Sequence, residues 1–499
     1  MRKSFVAVIA GALGIVGVVF ARPAGAVSVD GGVPSSARTP SRGVVVHVVQ
    51  TTATLSERMK SLPDQWMTRG RVSTRWLVDV RGGIRYQRIL GFGATLSDSS
   101  AWLIAEKLPL DRRRELLRQL FGVDGIRLNY LRLPMGASDF TVEGRPYSYD
   151  DVAPGTSDPG LRYFSVAHDL RYIIPTLRQA LAINPAIFVF ANPWSAPAWM
   201  KSNQRSDDLG NTGGLLPVYY GSFAAYFVRF LQAYRSYGVA VGAVAPQNEP
   251  GVAEDPGMEL PEPDEANFIA GYLRPALASA GLRTQVYGLD LGWDQSPYAD
   301  ALATGSASGV LTGISWHCYY GSPAVMTRLH LQAPRLVQLV NECSPEIRPF
   351  STAEALIGSL RNWASAVALW NLALDPAGGP VEPPGRRCPG CRGIVTVDEN
   401  MHRPQPGPTY YQLGQVSRFV RRGAVRIDSN TFVSDSTSPN GFYHPTVGLD
   451  DVAFINPDGE KVLVTYNNSP RPIRFAVTWR GQMLFYRQAP GATTTFTWR

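Results

Sequence analysis

Glu249 closes the run Val239-Ala-Val-Gly-Ala-Val-Ala-Pro-Gln-Asn-Glu, and Glu342 closes Leu336-Val-Gln-Leu-Val-Asn-Glu. A short apolar run that stops in Asn-Glu reads as a buried strand delivering a carboxylate to the rim of a sheet or barrel. Two such deliveries make a carboxylate pair. Acetal cleavage in a glycoside needs such a pair, one group to protonate the leaving oxygen and one to attack or to activate water. Taken singly, each glutamate is as well explained as a salt-bridged surface group. The Asn-Glu ending shared by both runs favours the paired reading.

Other apolar runs also stop in polar and aromatic residues. Arg132 and Asp139 bracket one such ending, Trp194 follows Asn192-Pro, Asn248 precedes Glu249, His317 and Tyr319 flank Cys318, and Trp370-Asn371 closes the series. A sugar has an apolar face that stacks on Trp194 or Trp370 and hydroxyls that bond to Asp139 and to asparagines. Core packing is the competing account of each tryptophan, and a buried ion pair that of Arg132. A functional Arg132 would hold a catalytic carboxylate ionised. His317 has no second histidine at ligand spacing, so no metal is expected, and no cofactor motif is present. Gly91-Phe-Gly93 lacks the third glycine of a dinucleotide fingerprint, because position 96 is Leu. A sharp turn at the first barrel strand is the expectation for those glycines.

These endings must be carried by elements that converge. From Ile89 onward, short apolar runs alternate with amphipathic segments such as Leu170 to Ile183, Tyr219 to Tyr237 and Thr352 to Ala364. Strands alternating with helices over more than 300 residues indicate a parallel sheet, and eight units would close a barrel whose strand C-termini build one site. Before this region lie the strand-like runs Val44 to Thr51 and Trp76 to Val80. After Tyr410 come short alternating runs with turn dipeptides such as Pro457-Asp458, the texture of an all-β module. The predicted class is therefore α/β. It places N-terminal β-sandwich strands at 43–88, a (β/α)8 TIM barrel at 89–412 and the C-terminal β-sandwich at 413–499.

With 44% hydrophobic and 18% charged residues, the chain has the composition of a folded protein. Residues 1–26 read as a secretory signal peptide: Arg2 and Lys3, an apolar stretch from Phe5 to Phe20, then Ala24-Gly-Ala26. An uncleaved anchor is the alternative. Cleavage near Ala26 would leave a secreted, mildly basic chain with no membrane segment. Residues 27–42 have linker composition. Arginines occur in short clusters without a basic stripe, so nucleic acid is not an expected partner, and no obligate protein partner is evident. The four cysteines favour disulfides in an exported chain, with Cys388-Pro-Gly-Cys391 suited to a local loop. A zinc site from all four is the sharper alternative, against which stands the unpaired spacing of Cys318 and Cys343.

Several motifs together resemble glycoside hydrolase family 30 and its glucosylceramidase-like members. They are Gly91-Phe-Gly-Ala-Thr-Leu-Ser-Asp98, Leu131-Arg-Leu-Pro-Met-Gly-Ala-Ser-Asp-Phe140, Asn192-Pro-Trp-Ser-Ala-Pro-Ala-Trp-Met-Lys201, Gln247-Asn-Glu-Pro250, Ser315-Trp-His-Cys-Tyr319, Asn341-Glu342 and Trp370-Asn-Leu-Ala-Leu374. The resemblance implies an eight-unit barrel with a side β-sandwich that includes an N-terminal strand. It also implies retaining hydrolysis of β-glucosides, with Glu249 as acid/base and Glu342 as nucleophile. Asp139, Trp194, Asn248 and Trp370 would bind sugar, with Arg132, His317 and Tyr319 around the nucleophile. Two departures stand out: Asn341 precedes the nucleophile where Thr or Ser is usual, and the loop after Trp370 is unlike that of the animal glucosylceramidases. The expected substrate is a β-glucoside, glycolipid or glycan. Glucosylceramidase-type activity is the leading reading, endo-β-1,6-glucan or other polysaccharide hydrolysis its rival, and a non-catalytic sugar-binding barrel the rival outside enzymes.

Overall fold

The computed structural model describes residues 43–205, 213–252, 256–381, 388 and 390–499. The predicted signal peptide and linker lie outside the described residues. Four strands come first: β1 (Val44–Thr51), β2 (Lys60–Arg69), β3 (Leu77–Asp79) and β4 (Arg81–Arg88). Eight parallel strands then close a barrel: β5 (Gly91–Thr95), β6 (Tyr130–Pro134), β7 (Phe188–Asn192), β8 (Val241–Val244), β9 (Gln285–Gly292), β10 (Gly313–His317), β11 (Val337–Glu342) and β12 (Ala364–Leu369), the last pairing with β5. The strands are buried on both faces, which is why they read as continuous apolar runs.

The principal shell helices are α1 (Asp98–Trp102), α2 (Leu110–Phe121), α3 (Ile173–Ile183), α4 (Tyr220–Ser236), α5 (Glu262–Phe268), α6 (Arg274–Ser279), α7 (Ser296–Thr304), α8 (Ala324–Gln332) and α9 (Thr352–Arg361). Helix α9 starts where the sequence dictates. The Ser351 side chain accepts from the Glu354 N–H while the Glu354 side chain accepts from the Ser351 N–H, a complete capping box.

Three short strands follow the barrel, β13 (Ala373–Leu374), β14 (Val395–Asp398) and β15 (Arg403–Pro406), then helix α10 (Pro408–Ser417). The boundary expected at residue 412 falls inside α10, which packs against β1, β5 and the last strand of the chain. Strands β16 (Val425–Asp428), β17 (Leu449–Ile455), β18 (Lys461–Asn467), β19 (Ile473–Trp479), β20 (Gln482–Gln488) and β21 (Thr493–Trp498) join β1 to β4 in one ten-stranded, mostly antiparallel sheet. Its core is shared by the two chain ends, with Val46, Val48 and Val78 packed among Leu463, Phe475 and Phe496. No helix among the described residues is long and apolar enough to cross a membrane.

The glycines of β5 correct one expectation. Gly91 and Gly93 lie within the strand rather than in a turn. A Cβ on Gly93 would come within 1.6 Å of the Tyr130 carbonyl oxygen, so close approach of β6 demands glycine there.

Candidate active site

Period-two alternation along the barrel strands builds the floor of the site. In β6, Tyr130 packs in the barrel interior while Leu131 and Leu133 face the helices, which turns Arg132 inward. In β7, Phe188 and Phe190 fill the interior below Asn192; in β10, Ile314 and Trp316 face outward, so Ser315 and His317 face in. Apolar layers therefore give way to a polar layer at the strand C-termini.

Two irregularities add carboxylates to that layer. The register between β10 and β9 slips past Asp290, and that between β10 and β11 slips past Asn341. A bulge re-aims side chains. Asn341 thus reaches Asp290 (3.1 Å) and the Tyr130 hydroxyl (2.7 Å), while the next residue, Glu342, also turns to the site. Glu249 lies beyond β8 in a loop, at φ +44°, and its N–H donates to the Asp290 carbonyl (3.0 Å). Asp290 (φ +51°) and Asn371 (φ +60°) share this left-handed conformation. Such strain persists where surrounding structure over-determines it.

Arg132 is the hub. Its fully buried guanidinium donates to Glu342 Oε2, to Asp290 Oδ2 (2.7 Å), to Asn192 Oδ1 (3.1 Å) and to Asn248 Oδ1. Burial works against its charge, yet the carboxylates of Asp290 and Glu342 hold its pKa above the ordinary arginine value. Asp290 is the reciprocal case. Burial opposes ionisation, but Arg132 and His317 hold its carboxyl below the usual range, and Ser315 donates to it.

His317 Nδ1 is 2.7 Å from Glu249 Oε1 and 3.9 Å from Glu342, and Nε2 is 3.6 Å from Asp290. Burial disfavours a charged imidazole, but Glu342 and Asp290 outweigh it and push the pKa up to about 10. The folded value lies above the ordinary 6.5, so this protonation stabilises the fold fully below pH 6.5 and is lost as pH rises through about 10. Urea unfolding should therefore show wild-type stability falling between those pH values, with a smaller fall in His317→Asn; equal slopes would contradict an imidazolium at this position.

Atoms of Glu249, His317 and Glu342 lie within 4.8 Å of one another. That grouping would also suit a metal ion. Here His317 is in hydrogen-bond contact with Glu249 and Arg132 with Glu342, so side chains already supply the positive charge. Tyr319 donates to Glu342 Oε1 (2.7 Å), its own phenol pushed well up by burial and by the Glu342 charge.

The two carboxylates open onto a cavity of about 520 Å³. Of the nine residues nominated from the sequence, Asp139, Glu249, Tyr319, Glu342 and Trp370 line it. Arg132, Trp194, Asn248 and His317 lie buried behind them. Trp194 stacks on Trp370 at 5.3 Å, and Arg132 sits over both indoles. It therefore braces the wall that Trp370 presents. Asp139 is half-buried, with its Oδ1 shielded from solvent and lacking a hydrogen-bond partner, and burial, then Glu342 and Glu249, push its pKa well up.

All four cysteines are in disulfides. Cys318–Cys343 ties the ends of β10 and β11 beside His317 and Glu342, and Cys388–Cys391 closes a loop on the cavity wall. The zinc alternative is thereby excluded, because thiolate ligands are required. Sequence reasoning did not nominate Asp290, Asn192, Asn341 or Ser315. An acid inside the apolar run Val286-Tyr-Gly-Leu-Asp-Leu291 was the available signal for Asp290.

Comparison with known proteins agrees with this architecture. Residues 89–420 match the glycosyl hydrolase family 30 TIM-barrel domain and residues 423–496 the family 30 beta sandwich domain. The chain is 32% identical to endo-1,6-beta-D-glucanase BGN16.3 of Trichoderma harzianum over 76% of its length and 78% of the relative's. It is 28% identical to the lysosomal acid glucosylceramidase of Mus musculus over 86% and 84% of the two chains. Among solved structures, the endo-beta1,6-glucanase BT3312 superposes with a TM-score of 0.77 at 26% identity, covering 91% of this chain and 99% of that one. With both domain matches in barrel-then-sandwich order, the chain belongs to glycoside hydrolase family 30.

Proposed function

We propose that this chain is an exported, retaining β-glucosidic hydrolase acting on β-1,6-glucan. The observation that carries the mechanism is the carboxylate spacing, with Glu249 and Glu342 oxygens within 4.8 Å. Double displacement uses carboxyls roughly 5 to 5.5 Å apart, whereas direct attack by water needs at least about 6.5 Å. Glu342, held by Arg132 and Tyr319, attacks the anomeric carbon. The bond to the leaving oxygen breaks, and that oxygen takes the proton of Glu249. Glu249 then accepts a proton from the water that releases the sugar from Glu342. Trp370 offers a wall for the sugar's apolar face, and the unpartnered Asp139 Oδ1 offers an acceptor for a hydroxyl.

The choice of glucan rests on the relatives. Three endo-1,6-beta-D-glucanases, from Trichoderma harzianum, Neurospora crassa and Aspergillus fumigatus, match at 31–32% identity, above the mouse glucosylceramidase at 28%. The glucosylceramidase reading that leads from the motifs therefore takes second place. Export is supported by the N-terminal pattern of Arg2-Lys3, apolar stretch and Ala24-Gly-Ala26, and by two disulfides, which persist in oxidising compartments.

A release assay comparing β-1,6-glucan, glucosylceramide and an aryl β-glucoside tests the proposal. Turnover of the glucan should exceed that of glucosylceramide by at least tenfold, about 1.4 kcal/mol of transition-state discrimination. Preference for glucosylceramide would overturn the substrate assignment, and no turnover of any would overturn the enzymatic reading.

A further inference from the structure

The cavity continues past the two carboxylates to Tyr320 and Arg348. Tyr320 is 47% exposed and its ring is stacked on Phe442, with centroids 5.2 Å apart and planes at 26°. Phe442 belongs to the segment between β16 and β17, in the sandwich. The Gly321 N–H fixes that segment against the barrel by donating to the Gly441 carbonyl at 2.7 Å. The Arg348 guanidinium lies over Tyr319, Tyr320 and Phe442 at 4.9, 5.2 and 5.2 Å.

Arg348 makes no ion pair with a carboxylate among the described residues, and its buried Nε has no hydrogen-bond acceptor. Its Nη1 donates only to the neighbouring Ile347 carbonyl at 3.2 Å. An unsatisfied buried guanidinium N–H is costly unless a ligand completes it. A half-exposed tyrosine ring, backed by a second aromatic, offers a rigid apolar platform beside that donor. Platform and donor together match a pyranose, which has an apolar C–H face and a rim of oxygens. An alkyl chain would leave the Arg348 N–H unsatisfied.

We infer that Tyr320, Arg348 and Phe442 form the leaving-group subsite, where the glucosyl unit expelled in the first step stacks on Tyr320 and presents an oxygen to the Arg348 guanidinium. The inference rests on the β-1,6-glucan reading and deepens it. In a 1,6-linkage the leaving oxygen is on a primary carbon, so the next ring pivots about one more bond than in other linkages. Holding that ring restores the orientation the proton transfer from Glu249 requires. The sandwich thereby takes part in substrate choice through Phe442.

The test compares β-1,6-linked gluco-oligosaccharides with β-glucosyl fluoride, whose leaving group occupies no sugar subsite, for wild type, Tyr320→Ala and Arg348→Met. The ratio of the two kcat/KM values should shift against the oligosaccharides by about 10- to 100-fold in each variant, the scale of losing one ring-stacking or charged hydrogen-bond contact. Turnover of the fluoride reports that the fold and the catalytic pair survive. Equal losses on both substrates, or no loss on the oligosaccharides, would overturn the subsite. Failure of the wild type itself on the oligosaccharides, with the fluoride turned over, would overturn the substrate reading first and the subsite with it.

Discussion

Glu342→Gln should lower kcat on any β-glucoside by on the order of 10⁴- to 10⁶-fold, the scale of removing a covalent nucleophile. Glutamine keeps the shape of the side chain and an oxygen that can face Arg132 or the Tyr319 hydroxyl, but it cannot form the glycosyl ester. Stability should fall by only about 1 to 3 kcal/mol, because Arg132 retains Asp290 as a counter-charge. Initial-rate assays on an aryl β-glucoside beside urea unfolding measure both quantities. Substantial residual turnover would remove Glu342 from the mechanism.

Arg132→Ala should be damaging in a different way. The wild-type guanidinium neutralises two buried carboxylates, Asp290 with no exposed side chain and Glu342 with 7%. Removing one partner of a buried ion pair costs about 3 to 5 kcal/mol, because the remaining charges lie uncompensated in a low-dielectric interior. The variant would also leave Asn192 and Asn248 without their shared donor and Trp194 and Trp370 without the cation over their faces. Turnover should fall at least 100-fold as Glu342 loses its orientation. Arg132→Lys should restore part of the stability and little of the activity, since one ammonium cannot reach the four acceptors that the planar fork serves. Equilibrium unfolding within about 1 kcal/mol of wild type in Arg132→Ala would show that the cluster is not held by this residue.

Much of this site is legible in the chain. Arg132 between Leu131 and Leu133, and His317 after Trp316, obey the alternation of a barrel strand, so their inward direction follows from the pattern alone. Asp290 does not obey it. It sits at a bulge with positive φ inside an otherwise buried strand, and only the pairing register of β9 with β10 reveals that it faces the site. Glu342 is accessible to the site because a second bulge at Asn341 lets two consecutive residues serve it. The distance between Glu249 and Glu342 is tertiary, set by one loop end and one strand end, and no spacing in sequence encodes it. The division of labour between Trp370 on the wall and Trp194 behind it is likewise a packing result. Helix α10 departs from the β texture read after Tyr410: its buried Tyr410, Leu413 and Val416 recur at helical spacing, and the helix serves two partners, barrel and sandwich, at once.

The proposed mechanism assigns attack to Glu342 and proton transfer to Glu249. Azide supplied to Glu342→Ala and to Glu249→Ala, with the sugar azide identified by proton NMR, separates the two roles in one measurement. In Glu342→Ala the small anion can occupy the space of the lost carboxylate and attack a β-glucoside directly, giving the α-glucosyl azide. In Glu249→Ala it attacks the glycosyl ester on Glu342 and gives the β-glucosyl azide. The opposite pairing of product and variant, or the same anomer from both, would contradict the account.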